Sequence, residues 1–431
     1  FVAGTLLFCA ASGLCALAPT LPLLVAARAV QGVGAALVVP GSLAVLESLL
    51  RPADRARAIG TWSALGGIAG AVGPLLGGVL VELSWRWVFL LPVPLGLLAA
   101  AAAGRHLPEP DAGASARNGL GRSAWRGLDL AGALLAAAAL AGTTSALVQA
   151  PAGPRWAVVA AAAVGAATTG GFLLVERRAR DPLLPPGLFA SRQFAAANAL
   201  TFVVYAALGG VFFLLVVVLQ TGLGYSPLAA GAATLPVTVV MLVLSARAGR
   251  LAQRIGARTP LTVGPLVIGA GMLLLGRVGV GSSYLRDVLP AVLVFALGLA
   301  ATVAPVTATA LAAAPAQQAG IASGVNNALA RTAQLVAVAG LPVLVGLGGS
   351  DYADPRAVTG AFREAMTACS VLAIAGAVLA WATIRDPGPG GVQQRAAGSG
   401  GRALLHCAVA GPPARTHVQA ATGDPPRGPV T

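Results

Sequence analysis

Gly70–Gly78 reads GAVGPLLGG, four glycines and a proline in nine residues of an apolar block where a helix is required. Glycine and proline are the poorest residues for a helix interior, costing roughly 1 and 3 kcal/mol against alanine. In water the stretch would read as a broken helix. In a bilayer the backbone must still satisfy its own hydrogen bonds, and proline and glycine persist where neighbouring helices complete the bonding. The solvent decides between the two readings.

Composition settles the solvent. The chain is 57% hydrophobic and 10% charged, where soluble domains hold about 45–50% and about 25%. The apolar residues come in long uncharged blocks, not in the 3.6-residue stripe of a surface helix. In order the blocks are Val2–Ala18, Leu21–Leu50, Ala58–Leu83, Trp87–Gly104, Leu128–Ala150, Trp156–Val175, Phe194–Gln220, Leu228–Ala246, Leu261–Gly276, Val288–Ala314, Gly320–Gly346 and Phe362–Ile384. A span needs ~20 mostly apolar residues, so these are twelve candidate spans of an all-α polytopic membrane protein. No signal-peptide cleavage pattern precedes the first block, which therefore reads as a span.

The net charge of +14 is carried by arginine alone, since the chain holds no lysine. Threading the spans alternately puts fifteen arginines on one side: 51, 55, 57, 105, 117, 122, 126, 177, 178, 180, 192, 247, 250, 254 and 258. The other side holds six: 86, 155, 277, 286, 356 and 363. By the positive-inside rule the first side is cytoplasmic, with both termini inside the plasma (inner) membrane. The basicity is topological and predicts no nucleic-acid partner. Without lysine there is no P-loop, hence no ATP motor of that kind. His106, His406 and His417 lie outside the spans, no two carboxylates share a span, and Cys9, Cys15, Cys369 and Cys407 show no metal spacing. No metal, cofactor or enzymatic site is expected.

Two connectors rich in Gly, Pro and charge, Arg105–Gly127 and Glu176–Gln193, divide the spans into four, two and six. The expected organisation is a first bundle at 1–104, cytoplasmic loops with two further spans at 105–193, a six-helix bundle at 194–385, and a disordered cytoplasmic tail at 386–431 rich in Gly, Pro and Arg.

Within the opening stretch, Gly66, Gly70, Gly73 and Gly77 recur at four, three and four residues, on one helical face. Small faces let helix backbones approach closely in lipid. The stretch resembles the antiporter motif on the fifth helix of the major facilitator superfamily, matching at Gly60, Gly73, Pro74, Gly77 and Gly78, with Ala69 in place of one glycine. The resemblance implies that this kinked helix packs across the interface of two bundles, with Gly73 and Pro74 on the contact face. RAVQGVGAA, Arg28–Ala36, resembles the fourth-helix motif, in which the arginine belongs to the proton pathway; Gln31 and Gly32 go with it. An arginine within a span costs roughly 2.5 to 3.5 kcal/mol on insertion scales and usually faces a cavity or partner. GRLAQRIGART, Gly249–Thr259, is similar to the cytoplasmic gating loop at Gly249, Leu251, Ala252, Arg254, Gly256 and Arg258, but Gln253 stands where an acid normally latches the arginines. In SGVNNALARTAQ, Ser323, Asn327, Arg331 and Gln334 share one face. That segment resembles the thirteenth helix of the fourteen-helix drug:proton antiporters, without the acid some relatives carry there.

The resemblance, covering residues 1 to about 385, implies a major facilitator fold of two six-helix bundles plus two linking helices, working as a monomer without cofactor. It implies a proton-coupled exporter of small amphiphilic molecules by alternating access. A narrow exporter of a self-made metabolite or siderophore is the nearer alternative; a non-transporting sensor or scaffold is the remote one. Two spans precede GRLAQRIGART in the second bundle, whereas nothing precedes the four spans of the first. If the halves are repeats, the first two helices of the fold are missing before Phe1. Arg28 would then lack the acidic partner that the family places in the first helix.

Overall fold

A computed structural model describes residues 1–49, 69, 72–106, 129–151, 153–179, 182–315 and 318–386. Gly60, Gly66, Gly70, the arginines at 51–57, 117–126 and 180, Cys407, His406, His417 and the tail from 387 lie outside them. The described elements are helices throughout: α1 (Val2–Leu17), α2 (Leu21–Leu49), α3 (Val72–Leu83), α4 (Trp87–Leu90), α5 (Pro92–His106), α6 (Leu130–Gln149), α7 (Arg155–Arg178) and α8 (Pro186–Phe189). They continue as α9 (Arg192–Val217), α10 (Pro227–Ala233), α11 (Leu235–Ile255), α12 (Arg258–Leu275), α13 (Leu289–Ala312), α14 (Ala319–Leu344) and α15 (Pro355–Thr383). Single π turns at Val218–Gly222 and Tyr284–Val288 extend α9 and lead into α13. Ten described helical stretches are long and apolar enough to cross a membrane, and Val2–Leu17 and Val72–Leu83 are shorter apolar helices. These twelve fall on the twelve apolar blocks of the sequence.

Helix starts follow local chemistry. Ser191 Oγ accepts from the Phe194 N–H, Ser226 Oγ from Ala229 and Asp354 Oδ1 from Arg356, each satisfying a first-turn donor. Proline occupies the first turn of α10, α11, α13 and α15, where its missing N–H has no intrahelical partner to lose.

Helix α1 packs on α2 and α5, while α9, α11, α12, α13, α14 and α15 form one continuous cluster. That cluster has a dense apolar core around Phe194, Leu200, Leu214, Leu215, Leu261, Ile268, Met272, Phe295 and Phe362. The pair α6–α7 is joined to the cluster through α14: Leu147 lies beside Gly340, and Pro151 against Gly348. Outward faces remain apolar, with Leu134, Val148, Trp156, Val159 and Leu174 all exposed on the pair. In water that would be an untenable patch; against acyl chains it is the expected surface.

Between α6 and α7 two glycines meet. A Cβ on Gly142 would stand 2.6 Å from the Gly165 amide nitrogen, and one on Gly165 would stand 2.8 Å from Thr143 N. The obstacle in each case is backbone, which cannot swing aside as a side chain can. Gly142→Leu should therefore separate the pair and cost about 1–3 kcal/mol, read as a lower thermal inactivation temperature of the detergent-solubilised protein; Gly170→Leu, with no described atom within 4 Å of a Cβ at Gly170, should leave it unchanged.

Candidate functional site

Four groups of residues singled out in the sequence can be followed into the structure. Arg28, on α2, is exposed, yet its Nη1 donates to Gln31 Oε1 at 2.6 Å one turn on. Gln31 is 4% exposed and its Nε2 donates to Ser12 Oγ on α1 at 2.5 Å. The Cys15 thiol lies 4.0 Å from Gln31 Oε1, and the Arg28 guanidinium sits 5.7 Å from the centre of the Phe89 ring on α4. Arg28 is thus not left without partners: an amide chain and an aromatic face engage it. Ser12, Cys15 and Phe89 carry no sequence signal of their own. Gly32 is exposed, with no described atom within 4 Å of where its Cβ would be.

On α14, Ser323, Asn327 and Arg331 are exposed on one side and Gln334 is half-buried. Arg331 Nη1 lies 3.5 Å from Gln334 Oε1. The neighbouring Asn326, not distinguishable from Asn327 by sequence, is the buried one. Its Nδ2 donates to Asn198 Oδ1 at 3.1 Å and to Thr201 Oγ1 at 2.9 Å, pinning α14 to α9. Asn198 Nδ2 in turn donates to the Phe194 carbonyl at 2.9 Å. One turn of α14 therefore holds a packing clasp and an exposed polar face side by side.

The glycine helix α3 reaches the C-terminal cluster through Pro74 and Gly78 of the motif. Gly73 and Gly77 have no described atom within 4 Å of an added Cβ, whereas a Cβ on Gly78 would meet Leu228 Cα at 2.8 Å and the Pro227 carbonyl at 2.9 Å. Facing it, Gly231 lies against the Pro74 carbonyl, close enough that no side chain fits between them. Glu82 Oε1 accepts from the Leu228 N–H at 3.1 Å, at the start of α10. A carboxylate there also meets the positive end of that short helix. Among the described residues, Pro74, Gly78 and Glu82 make the contact of α3 with α10, and Gly73 takes no part in it.

In the Gly249–Thr259 segment, Gly256 ends α11 with φ +91°, a conformation that side-chain-bearing residues rarely adopt. Gly249 touches Ala304 on α13, and Arg254 is exposed in the last turn of α11, where a cation complements the helix dipole. Gln253 brings no acid, but Asp386 does. Its Oδ1 accepts from the Arg258 N–H at 2.9 Å, and its carboxylate occupies the space that a Cβ on Gly256 would fill. Arg258 Nε donates to the Trp381 carbonyl at 3.0 Å, and its guanidinium lies 5.3 Å from the centre of the Trp381 ring. Asp386, the first residue of the expected tail, thus caps the first turn of α12 from a distance in sequence, in the space that Gly256 leaves without a side chain.

Two measurements follow. Gly78→Leu should abolish the transport that the family resemblance implies while membrane insertion persists, and Gly73→Leu should be tolerated; the opposite pattern would make Gly73 the contact residue. Asp386→Ala should lower stability by about 1 kcal/mol, the usual cost of a lost helix cap, visible as a reduced melting temperature in detergent.

Comparison with known proteins places these features in context. Residues 1–338 match the family model described as Major Facilitator Superfamily. A puromycin resistance protein of Streptomyces alboniger is 35% identical over 402 residues, covering 89% of this chain and 77% of that one. A methylenomycin A resistance protein of Bacillus subtilis is 35% identical, covering 82% and 74%. The multidrug resistance protein Stp of Mycobacterium tuberculosis is 33% identical; the match covers 76% of this chain but 60% of that protein's length. Among solved structures, a crystal structure of a POT family transporter in complex with a thioalcohol-conjugated peptide superposes with a TM-score of 0.60 at 14% identity, over 89% of this chain and 81% of that one. At that identity the likeness concerns the fold. The apolar helices, the family match over residues 1–338 and the similarity to resistance proteins over most of the chain make this chain a multi-pass membrane transporter that belongs to the major facilitator superfamily.

Proposed function

We propose that the protein is a proton-coupled exporter of small amphiphilic molecules, antibiotics among them, working by alternating access without ATP or cofactor, as a monomer in the plasma membrane with both termini cytoplasmic. In this reading 1–104 and 194–385 are the rocking bundles and 105–193 supplies two linking helices. The observation that carries it is the backbone contact of Pro74 and Gly78 with Gly231 and Leu228. It joins the bundles at one end, the outer one on the positive-inside topology. Rocking about a central cavity would break and remake that contact.

Arg28, Gln31 and Gly32 on α2, and Asn327, Arg331 and Gln334 on α14, are assigned to the proton and substrate pathway. A charged group is expensive at membrane depth unless it faces a polar cavity or a partner. Gln31, held by Ser12, fixes the Arg28 guanidinium through a charge-assisted hydrogen bond of 2.6 Å. Gly249, Arg254, Gly256 and Arg258 are assigned to the cytoplasmic gate, with Asp386 as its acid.

Several relatives carry names for resistance to single antibiotics, and one is a tetracenomycin C resistance and export protein of Streptomyces glaucescens. This favours a narrow substrate range as the second reading. Expression in a host stripped of its own exporters, with a susceptibility panel and accumulation assays with and without a proton uncoupler, separates the two. Resistance across unrelated structures supports the broad exporter, resistance to one compound the narrow one, and unchanged accumulation of every compound rejects both. In the same assay Arg28→Lys should keep part of the uncoupler-sensitive efflux, since it retains the charge and loses the planar fork. Arg28→Ala should reduce that efflux at least tenfold; wild-type efflux by this variant would remove Arg28 from the pathway.

A further inference from the structure

The helix pair α6–α7 contains a feature that transport by the two bundles does not use. Among the described residues, the buried side-chain polar atoms without any hydrogen-bond partner are Asp129 Oδ2 and Glu176 Oε1. The two acids belong to different helices. Asp129 is the cap of α6, its Oδ1 accepting from the Gly132 N–H at 2.7 Å. Glu176 stands in the last turn of α7, only 4% exposed, its Oε2 accepting from the Leu184 N–H at 2.9 Å. Both unpartnered oxygens converge on one point: a Cβ on Gly132 would lie 3.1 Å from Glu176 Oε1 and in collision with Asp129 Oδ2.

A capping aspartate needs no ligand, and an acidic pair at a surface needs none either. Here a glutamate more than nine-tenths buried aims a free oxygen at a second free carboxylate oxygen. Among the described residues the charged neighbours do not resolve this. Arg177 and Arg178 follow Glu176 on α7 but are exposed, α6 from 131 to 149 carries no charge, and 182–186 carries none. No described cation pairs with either acid. The positive end of α6 favours one negative charge at this place; two buried like charges at one site disfavour each other.

The geometry points to a cation site in which Asp129 Oδ2 and Glu176 Oε1 jointly hold one positive charge, a proton or a sodium ion, above Gly132. Occupied, the site joins the start of α6, the end of α7 and, through Glu176 Oε2, the 182–186 segment leading into the C-terminal bundle. Emptied, it leaves two carboxylates repelling each other at the open end of the helix pair. The smallness of Gly132 keeps the space free.

The test uses the purified full chain in detergent, with thermal unfolding and infrared spectra as readouts. In one arm sodium replaces N-methylglucamine at fixed pH and ionic strength; in the other the pH is lowered without sodium. The melting temperature of the wild type should rise by several degrees in one arm. A carboxylate band that moves with sodium identifies the metal ion, and a protonated-carboxyl band that shifts in heavy water identifies the proton. Glu176→Gln and Asp129→Asn, whose amide can donate to the remaining acid, should lose both the band and the response. Gly132→Ala keeps both acids, fills the space and should lose them too, so the proposal stays testable should either amide variant fail to fold. A wild type lacking both bands, or variants whose spectra and melting shifts match the wild type, would overturn it.

Discussion

Close backbone approach between helices is the constraint on which the rest of this structure depends. In lipid, burying an apolar side chain against another helix gains little over burying it against an acyl chain, so association rests on contact distance and on the few polar bonds available. Glycine supplies the distance. At Gly142 and Gly165 two backbones touch, and at Gly78 and Gly231 a helix of the first group touches the entry to α11. Neither contact would survive a methyl group. The same residues that weaken a helix in water thus determine which helices can be neighbours here.

Polar residues within the spans complete the association by fixing register. Gln31 bridges Arg28 and Ser12, joining α2 to α1; Asn326 bridges Asn198 and Thr201, joining α14 to α9. Each amide spends its donors on another helix, since an unsatisfied donor in a buried apolar setting is costly. The second clasp lies one residue from an exposed polar group, Asn326 beside Asn327. Helical geometry makes that economical: adjacent residues point about 100° apart, so one turn can both pack and present.

The two linking helices are more than a spacer. The first of them packs on α14 of the C-terminal cluster, and Glu176 at the end of the second holds the segment that leads back into it. At the other loop signature, Asp386 arrives from beyond α15 to cap α12 beside Gly256. In both places an acid distant in sequence occupies a space that a glycine leaves open.

The sequence by itself determined the solvent, the twelve helical blocks and the family. Each rests on a property summed over many residues: block hydropathy, the distribution of arginines, and a spaced motif around Pro74. It also picked out Arg28, Gln31 and Arg331, because a polar group in an apolar run is conspicuous wherever it points. What it could not determine was which neighbour each such residue meets. Gly73 and Gly78 are equivalent in composition and lie on the same helix, yet among the described residues only Gly78 abuts another backbone. Asn326 and Asn327 are the same residue type in successive positions, and only helix packing separates the buried one from the exposed one. Asp386 read as the first residue of a tail because its partners, Gly256 and Arg258, lie some 128 residues away. Such contacts have no local signature: they depend on the relative rotation and approach of whole helices, which only the tertiary structure decides.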